Sequence, residues 1–143
     1  MRQLFVLAIV ILQAITVSAQ ETCDSIFKGK LVNQERQVWL VIDFYNKNIS
    51  VPKQEILGTM PGYLGAKQDS RNWLIIDADI KDNTAYLTIV NDYGSEDLTA
   101  TLTWNANGTY TLQHESGSNI KIAINRKWVK LPPKLVFTQS NEK

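Results

Sequence analysis

The stretch "LTATLTW", Leu98 to Trp104, alternates without a break. Leu98, Ala100, Leu102 and Trp104 fall on one side, and Thr99, Thr101 and Thr103 on the other. A period of two sends successive side chains to opposite faces of a strand. A polar second face marks an antiparallel strand with one side in water. The pattern recurs along the chain. "TAYLTIVN" aligns Ala85, Leu87 and Ile89, and "NIKIAIN" aligns Ile120, Ile122 and Ile124. "NWLIIDADI" sets Leu74, Ile76, Ala78 and Ile80 against Trp73, Ile75, Asp77 and Asp79. No segment beyond residue 19 carries a convincing helical period.

Turn chemistry separates these runs. Asn107-Gly108 in "WNANGTY" is a strong hairpin signal, because both residues tolerate positive φ. "YNKNIS", "KDNTA", "NDYGSED" and "ESGSN" mark further reversals. The predicted strands cover residues 26–32, 38–46, 72–81, 84–91, 97–105, 109–115, 119–125 and 127–139. Pro132-Pro133 interrupts the last of them and must lie at an edge, bulge or end. The expected fold is all-β: an antiparallel up-and-down meander of about eight strands. It either closes into a barrel or packs as a two-sheet sandwich, since both give the same alternation.

The chain opens with one arginine, the apolar run "LFVLAIVILQAITVSA" and the small-x-small triplet Val17-Ser18-Ala19. This pattern is read as a signal peptide over residues 1–19, cut before Gln20. Leu4 to Leu12 is too short to span a bilayer, which takes about 20 residues. The remainder, 20–143, reads as a single β domain, exported to the periplasm or outside the cell and soluble there. Cys23 follows polar Gln20-Glu21-Thr22, which does not fit a lipid-anchor signal. It is read as an exposed thiol, with an intermolecular disulfide as the rival reading. The chain has 15 Lys+Arg against 14 Asp+Glu, and Arg2 leaves with the leader, so the remainder is balanced in charge. Balance argues against a nucleic-acid partner, which needs a basic footprint.

One segment breaks the rhythm of strands and short turns. "VPKQEILGTMPGYLGAKQDSR", Val51 to Arg71, holds two prolines and three glycines, yet carries Ile56, Leu57, Met60, Tyr63 and Leu64. It is expected to be a long loop or plug, and loops of that length are often functional. The bland alternative is a further short strand within the segment.

Motifs that carry chemistry are scarce. His114 is the only histidine, and no nucleophile elbow or phosphate loop occurs. Asp77 and Asp79, two apart on one strand, share a face with α-carbons about 6.6 Å apart. They are candidates for an acid–base pair or a cation site, although nothing around them supplies further ligands. Trp39, Trp73, Trp104 and Trp128 invite a carbohydrate-platform reading. Trp104 is in register with core leucines, whereas Trp73 and Trp39 fall opposite apolar faces. The basic tract "NRKWVKLPPK" either meets an acidic partner or anionic sugar, or protects a sheet edge.

The short export signal, "NDYGSEDLTATL", "NGTYTL" and "RKWVKLPPKLVF" together resemble small exported β-proteins of gut Bacteroidetes. The meander also resembles calycin-like barrels such as lipocalins and avidins. Its first strand, "IFKGKLV", lacks the lipocalin Gly-x-Trp start. Neither resemblance brings catalytic residues or cofactors. The leading expectation is therefore a non-catalytic exported binding protein with an apolar contact surface at Met60, Tyr63, Leu64 and Trp73. Its partner would be a protein, as for an inhibitor or immunity protein, or a small apolar ligand. The alternatives are an envelope or glycan-processing enzyme using Asp77 and Asp79, and a structural envelope component.

Overall fold

The computed structural model describes residues 25–141. The expected signal peptide and Cys23 lie outside the described residues. Among the described residues twelve strands are present: β1 (Lys28–Asn33), β2 (Val38–Asp43), β3 (Ile49–Ser50), β4 (Thr59–Met60), β5 (Gly62–Ala66), β6 (Asp69–Lys81), β7 (Thr84–Asn91), β8 (Asp97–Trp104), β9 (Tyr110–Gly117), β10 (Lys121–Ile124), β11 (Lys127–Lys130) and β12 (Lys134–Gln139). Eight of them close an antiparallel barrel in the order β1-β12-β9-β8-β7-β6-β5-β2. The choice between barrel and sandwich is thus resolved. Closure pairs each barrel strand on both sides over part of its length, which limits exposed sheet edge. One overhang lies where β12 outruns β1. There Asn33 Nδ2 donates to the Val136 carbonyl at 2.9 Å, filling the gap with a side chain.

The threonine/apolar alternation of β8 sends Leu98, Ala100 and Leu102 inward, as expected. They meet Leu87, Ile89, Leu112 and Phe137 in one buried cluster that occupies the barrel interior. At one end Phe27 stacks on Phe44 with centroids 5.7 Å apart, and Tyr110 meets Phe27 edge-on. The Tyr110 hydroxyl donates to the carbonyl of Ile26. At the opposite end the β10–β11 hairpin turns Ile120, Ile122 and Leu131 into the same cluster and acts as a lid.

Three expectations are modified. Residues 119–125 and the first part of 127–139 do not join the barrel. They pair with each other, Ile122 opposite Val129, and β12 begins only after Pro132-Pro133. Residues 51–71 are not one loop: Gly62–Ala66 is barrel strand β5, and β6 begins at Asp69. Finally, the face assignment of β6 flips halfway. The pairing with β7 shifts between Ile75 and Asp77, leaving Ile76 as the extra residue of a bulge. Before the bulge Trp73 and Ile75 point inward; after it Ala78 and Ile80 do. One inserted residue exchanges the faces of everything upstream of it. Ile76, expected in the core, is half exposed.

Leu74 consequently points out of the barrel, where the excursion between β2 and β5 covers it. Val51 and Met60 pack on Leu74 with Tyr63 and Val90 at the margin, forming a second small core. The tip of this flap carries Ile56, 95% exposed, beside Leu57.

Candidate functional site

The interior of the barrel offers little room. The enclosed space among Leu98, Ala100, Leu112, Ile120, Leu131 and Leu135 is about 10 Å³, which accommodates one water at most. Drug-sized ligands occupy several hundred Å³. Larger spaces lie on the outside.

The expected contact residues are placed as follows. Leu64 is 1% exposed inside the barrel, and Trp73, 6% exposed, also faces inward. Met60, on the inner side of the flap, is buried against Leu74, and Tyr63 is half-buried beside it. Burial raises the Tyr63 phenol above its ordinary value. None of the four stands on an exposed apolar surface: register and the flap absorb them into the two cores. Trp39 does remain on the outside, but its ring lies across Gly65 of the neighbouring strand under Lys30.

Asp77 and Asp79 stand on the open outer wall of β6, opposite Thr88 and Tyr86. The surrounding surface is a shallow field of threonines with Glu115. Among the described residues no three His, Cys, Asp or Glu side chains gather as a metal site. His114 Nε2 lies 3.2 and 3.1 Å from the carbonyls of Gly117 and Ser118, so a proton there serves the turn leading into the lid.

A cleft at the lid end has a different character. It is an open groove of about 470 Å³ between the β7–β8 turn and the outer face of the lid, with Tyr93, Ser95, Glu96, Lys121, Trp128 and Lys130 on its walls. A recess of about 40 Å³ continues it down to Asp69, Arg71, Asn72, Asp92 and Trp73. Trp73 is thus the one expected contact residue that reaches this site, as part of its floor. Trp128 is 62% exposed and Tyr93 75% exposed.

Local sequence builds each wall. Trp128 and Lys130 are two apart on β11, so they share a face, and Lys121 is directly opposite Lys130 on β10. Glu96 takes the Lys121 ammonium at 3.2 Å, which separates the two like charges electrostatically. The opposite wall is the turn "NDYGSE". Asn91 Oδ1 accepts the amides of Ser95 and Glu96 at 2.9 and 3.3 Å, and its Nδ2 donates to Ser95 Oγ at 2.9 Å. One asparagine therefore fixes the loop that presents Tyr93.

Under the cleft sits a buried charge relay to the lid. Asp69 accepts Arg71 Nε at 3.0 Å and a second guanidinium nitrogen at 3.2 Å. It also accepts the Ala123 amide at 2.8 Å. Burial alone raises the Asp69 carboxyl, but these hydrogen bonds outweigh it and hold the group below its ordinary value. The Arg71 guanidinium lies 4.3 Å from the Trp128 ring centre. Trp73 Nε1 donates to the Lys121 carbonyl at 3.0 Å. The exposed ring therefore rests on a fixed base: Trp128 on Arg71, Arg71 on Asp69, Asp69 on the backbone of the lid. Burial lifts the nearby Asp92 carboxyl above its ordinary value, against the pull of Arg71.

Sequence reasoning singled out neither Tyr93 nor Asp69. Trp128 was visible as one of four tryptophans, inside a basic tract whose two readings are a partner or anionic sugar and edge protection. The signal available for Tyr93 was an aromatic residue in a polar turn, which burial cannot explain.

No protein-family model matches the chain, and no curated protein or solved structure matches it either. Among the described residues no helix is long and apolar enough to cross a membrane.

Proposed function

We propose that this chain is a non-catalytic exported binding protein that makes its contacts outside the barrel, in the cleft between Tyr93 and Trp128. The observation that carries this reading is a contrast. Buried side chains fill the barrel interior, with a space of about 10 Å³ beneath the lid, while two large aromatic side chains stand exposed in one cleft. Exposing both costs hydrophobic free energy, and contiguous exposed apolar surface marks an interaction site. The fastening through Arg71 and Asp69 supports the same reading, because a rigid aromatic anchor loses little entropy when a ligand docks. The short apolar leader ending in Val17-Ser18-Ala19 supports export.

Catalysis by Asp77 and Asp79 draws no comparable support, since among the described residues the wall around them offers threonines, Tyr86 and Glu115 and no cluster of metal-ligating side chains.

The test is native mass spectrometry of the mature protein purified gently from its own host. The wild-type chain carries a bound species, and the double variant Tyr93→Ala, Trp128→Ala loses it with the fold intact by circular dichroism. A bound species retained by the double variant contradicts the reading.

A further inference from the structure

Resting on that reading, we infer that the Tyr93–Trp128 cleft is a saccharide site. The reason lies in what the cleft offers beyond its aromatic rings. A pyranose has an apolar C–H face and a rim of hydroxyls, each both donor and acceptor. The cleft presents the matching combination. Trp128 has one face on Arg71 and most of its surface open, and Tyr93 stands on the facing wall. Between them are the Glu96 carboxylate as acceptor, and the Lys130 ammonium and Ser95 hydroxyl as donors.

Other occupants fit this lining less well. A wholly apolar ligand would strip water from Glu96, Lys121 and Lys130 without replacing their hydrogen bonds, which is unfavourable. A nucleic acid stacks on aromatic rings too, but it needs a surplus of cations to meet its phosphates. Here the charges are nearly matched: Glu96 pairs with Lys121, Asp69 pairs with Arg71, and the Asp92 carboxylate lines the adjoining recess with Arg71. Lys130 lines the cleft and is in none of the ion pairs Lys28–Asp43, Arg71–Asp69 and Lys121–Glu96, so a carboxylated sugar ring has a cation to meet, whereas a neutral ring has a donor. Both belong to the same chemistry, and the experiment separates them.

The cleft is also built before any ligand arrives. Asn91 holds the Tyr93 turn through three hydrogen bonds, and Asp69 holds the platform under Trp128. Weak ligands such as sugars profit most from surfaces that need no ordering.

The experiment titrates the mature protein with three linear oligosaccharides: of glucose, of N-acetylglucosamine and of galacturonic acid. The readouts are tryptophan fluorescence and isothermal calorimetry. Trp128 is the most exposed of the four tryptophans, so the optical change reports mainly on it. The expected result is saturable binding of at least one oligosaccharide, weakened about tenfold or more by Trp128→Ala. Tyr93→Ala is expected to weaken it independently. Both side chains are largely exposed, so neither variant endangers the fold. If galacturonate is the ligand, Lys130→Gln weakens it; if a neutral sugar is, Lys130→Gln leaves the platform contact and the Trp128 dependence intact. Absence of binding by all three at millimolar concentration overturns the inference, and so does binding indifferent to both aromatic substitutions. Loss of the species bound in the native mass spectrum on Tyr93→Ala, Trp128→Ala, without any saccharide binding, removes the ligand class alone. Retention of that species by the double variant removes the site itself.

Discussion

The Asp69 carboxylate on β6 accepts the Ala123 amide on β10 at 2.8 Å, so one buried side chain fastens the lid to the barrel wall. The same carboxylate holds Arg71, which underlies Trp128. Replacing Asp69 by Ala leaves the Ala123 amide without its acceptor and frees the guanidinium. The expected cost is about 1–3 kcal/mol. Hydrogen exchange localises it: amides of β10 and β11 exchange faster, while those of β7 and β8 keep their protection. Uniform acceleration across the barrel would show that Asp69 is not a local latch.

The pH dependence has a definite sign. Asp69 and Asp43 are both held below the ordinary carboxyl value. For Asp43, burial raises the group, but hydrogen bonds from Asn46 and Tyr45 and the charge of Lys28 outweigh it. A folded value below the unfolded one, about 3.9, gives stability that is complete above the unfolded value. That stability is lost as pH falls through the folded one. Asp92, raised by burial, runs the other way and is relieved by acid. Calorimetric melting should therefore change little above about pH 5 and fall in stronger acid. Asp69→Asn should flatten that fall; an unchanged acid profile in the variant contradicts the account.

Two glycines of β5 are required by close approach, and the obstacles differ. A Cβ at Gly62 would lie 2.4 Å from the Val41 carbonyl oxygen, which is backbone. A Cβ at Gly65 would meet the Trp39 ring at 2.6 Å, and that ring can swing outward. Both alanine substitutions should destabilise, in the range of about 1–3 kcal/mol, with Gly62→Ala the more costly. Denaturant midpoints decide the order. Only Gly65→Ala should change the fluorescence of Trp39.

A filled interior makes a further prediction. Ala85 is fully buried between the walls. Ala85→Leu adds three carbons where no cavity receives them, and should cost about 1–3 kcal/mol. A hollow ligand carrier would accept the larger side chain, so an unchanged melting temperature would contradict the packed core.

Much of the barrel was legible because β7 and β8 keep a strict period of two between recognisable turns. The misread parts have physical causes. In "WLII", residues 73–76, apolar side chains occupy both faces, so the pattern cannot reveal the bulge at Ile76 that decides which of them is inside. β5 looks like a loop because Gly62 and Gly65 read as turn residues, whereas they are present to let Val41 and Trp39 approach. β10 has the alternation of a barrel strand, and alternation does not say which neighbour it pairs with. The cleft was the least legible feature. Tyr93 and Trp128 lie in different turns and strands, and only the folding of the lid over the barrel end brings them to one cleft. Asp69, the residue beneath it, sits in a segment that reads as loop.

The most direct test of an external site on a packed barrel is an amide-resolved NMR spectrum of ¹⁵N-labelled mature protein. It is recorded before and after adding a soluble envelope extract from its own host. The account predicts shifts confined to the Asn91–Glu96 turn and the Lys127–Lys130 strand, and none with Tyr93→Ala, Trp128→Ala. Shifts centred on interior positions such as Leu87 and Leu102, or on the flap tip at Ile56, would contradict it.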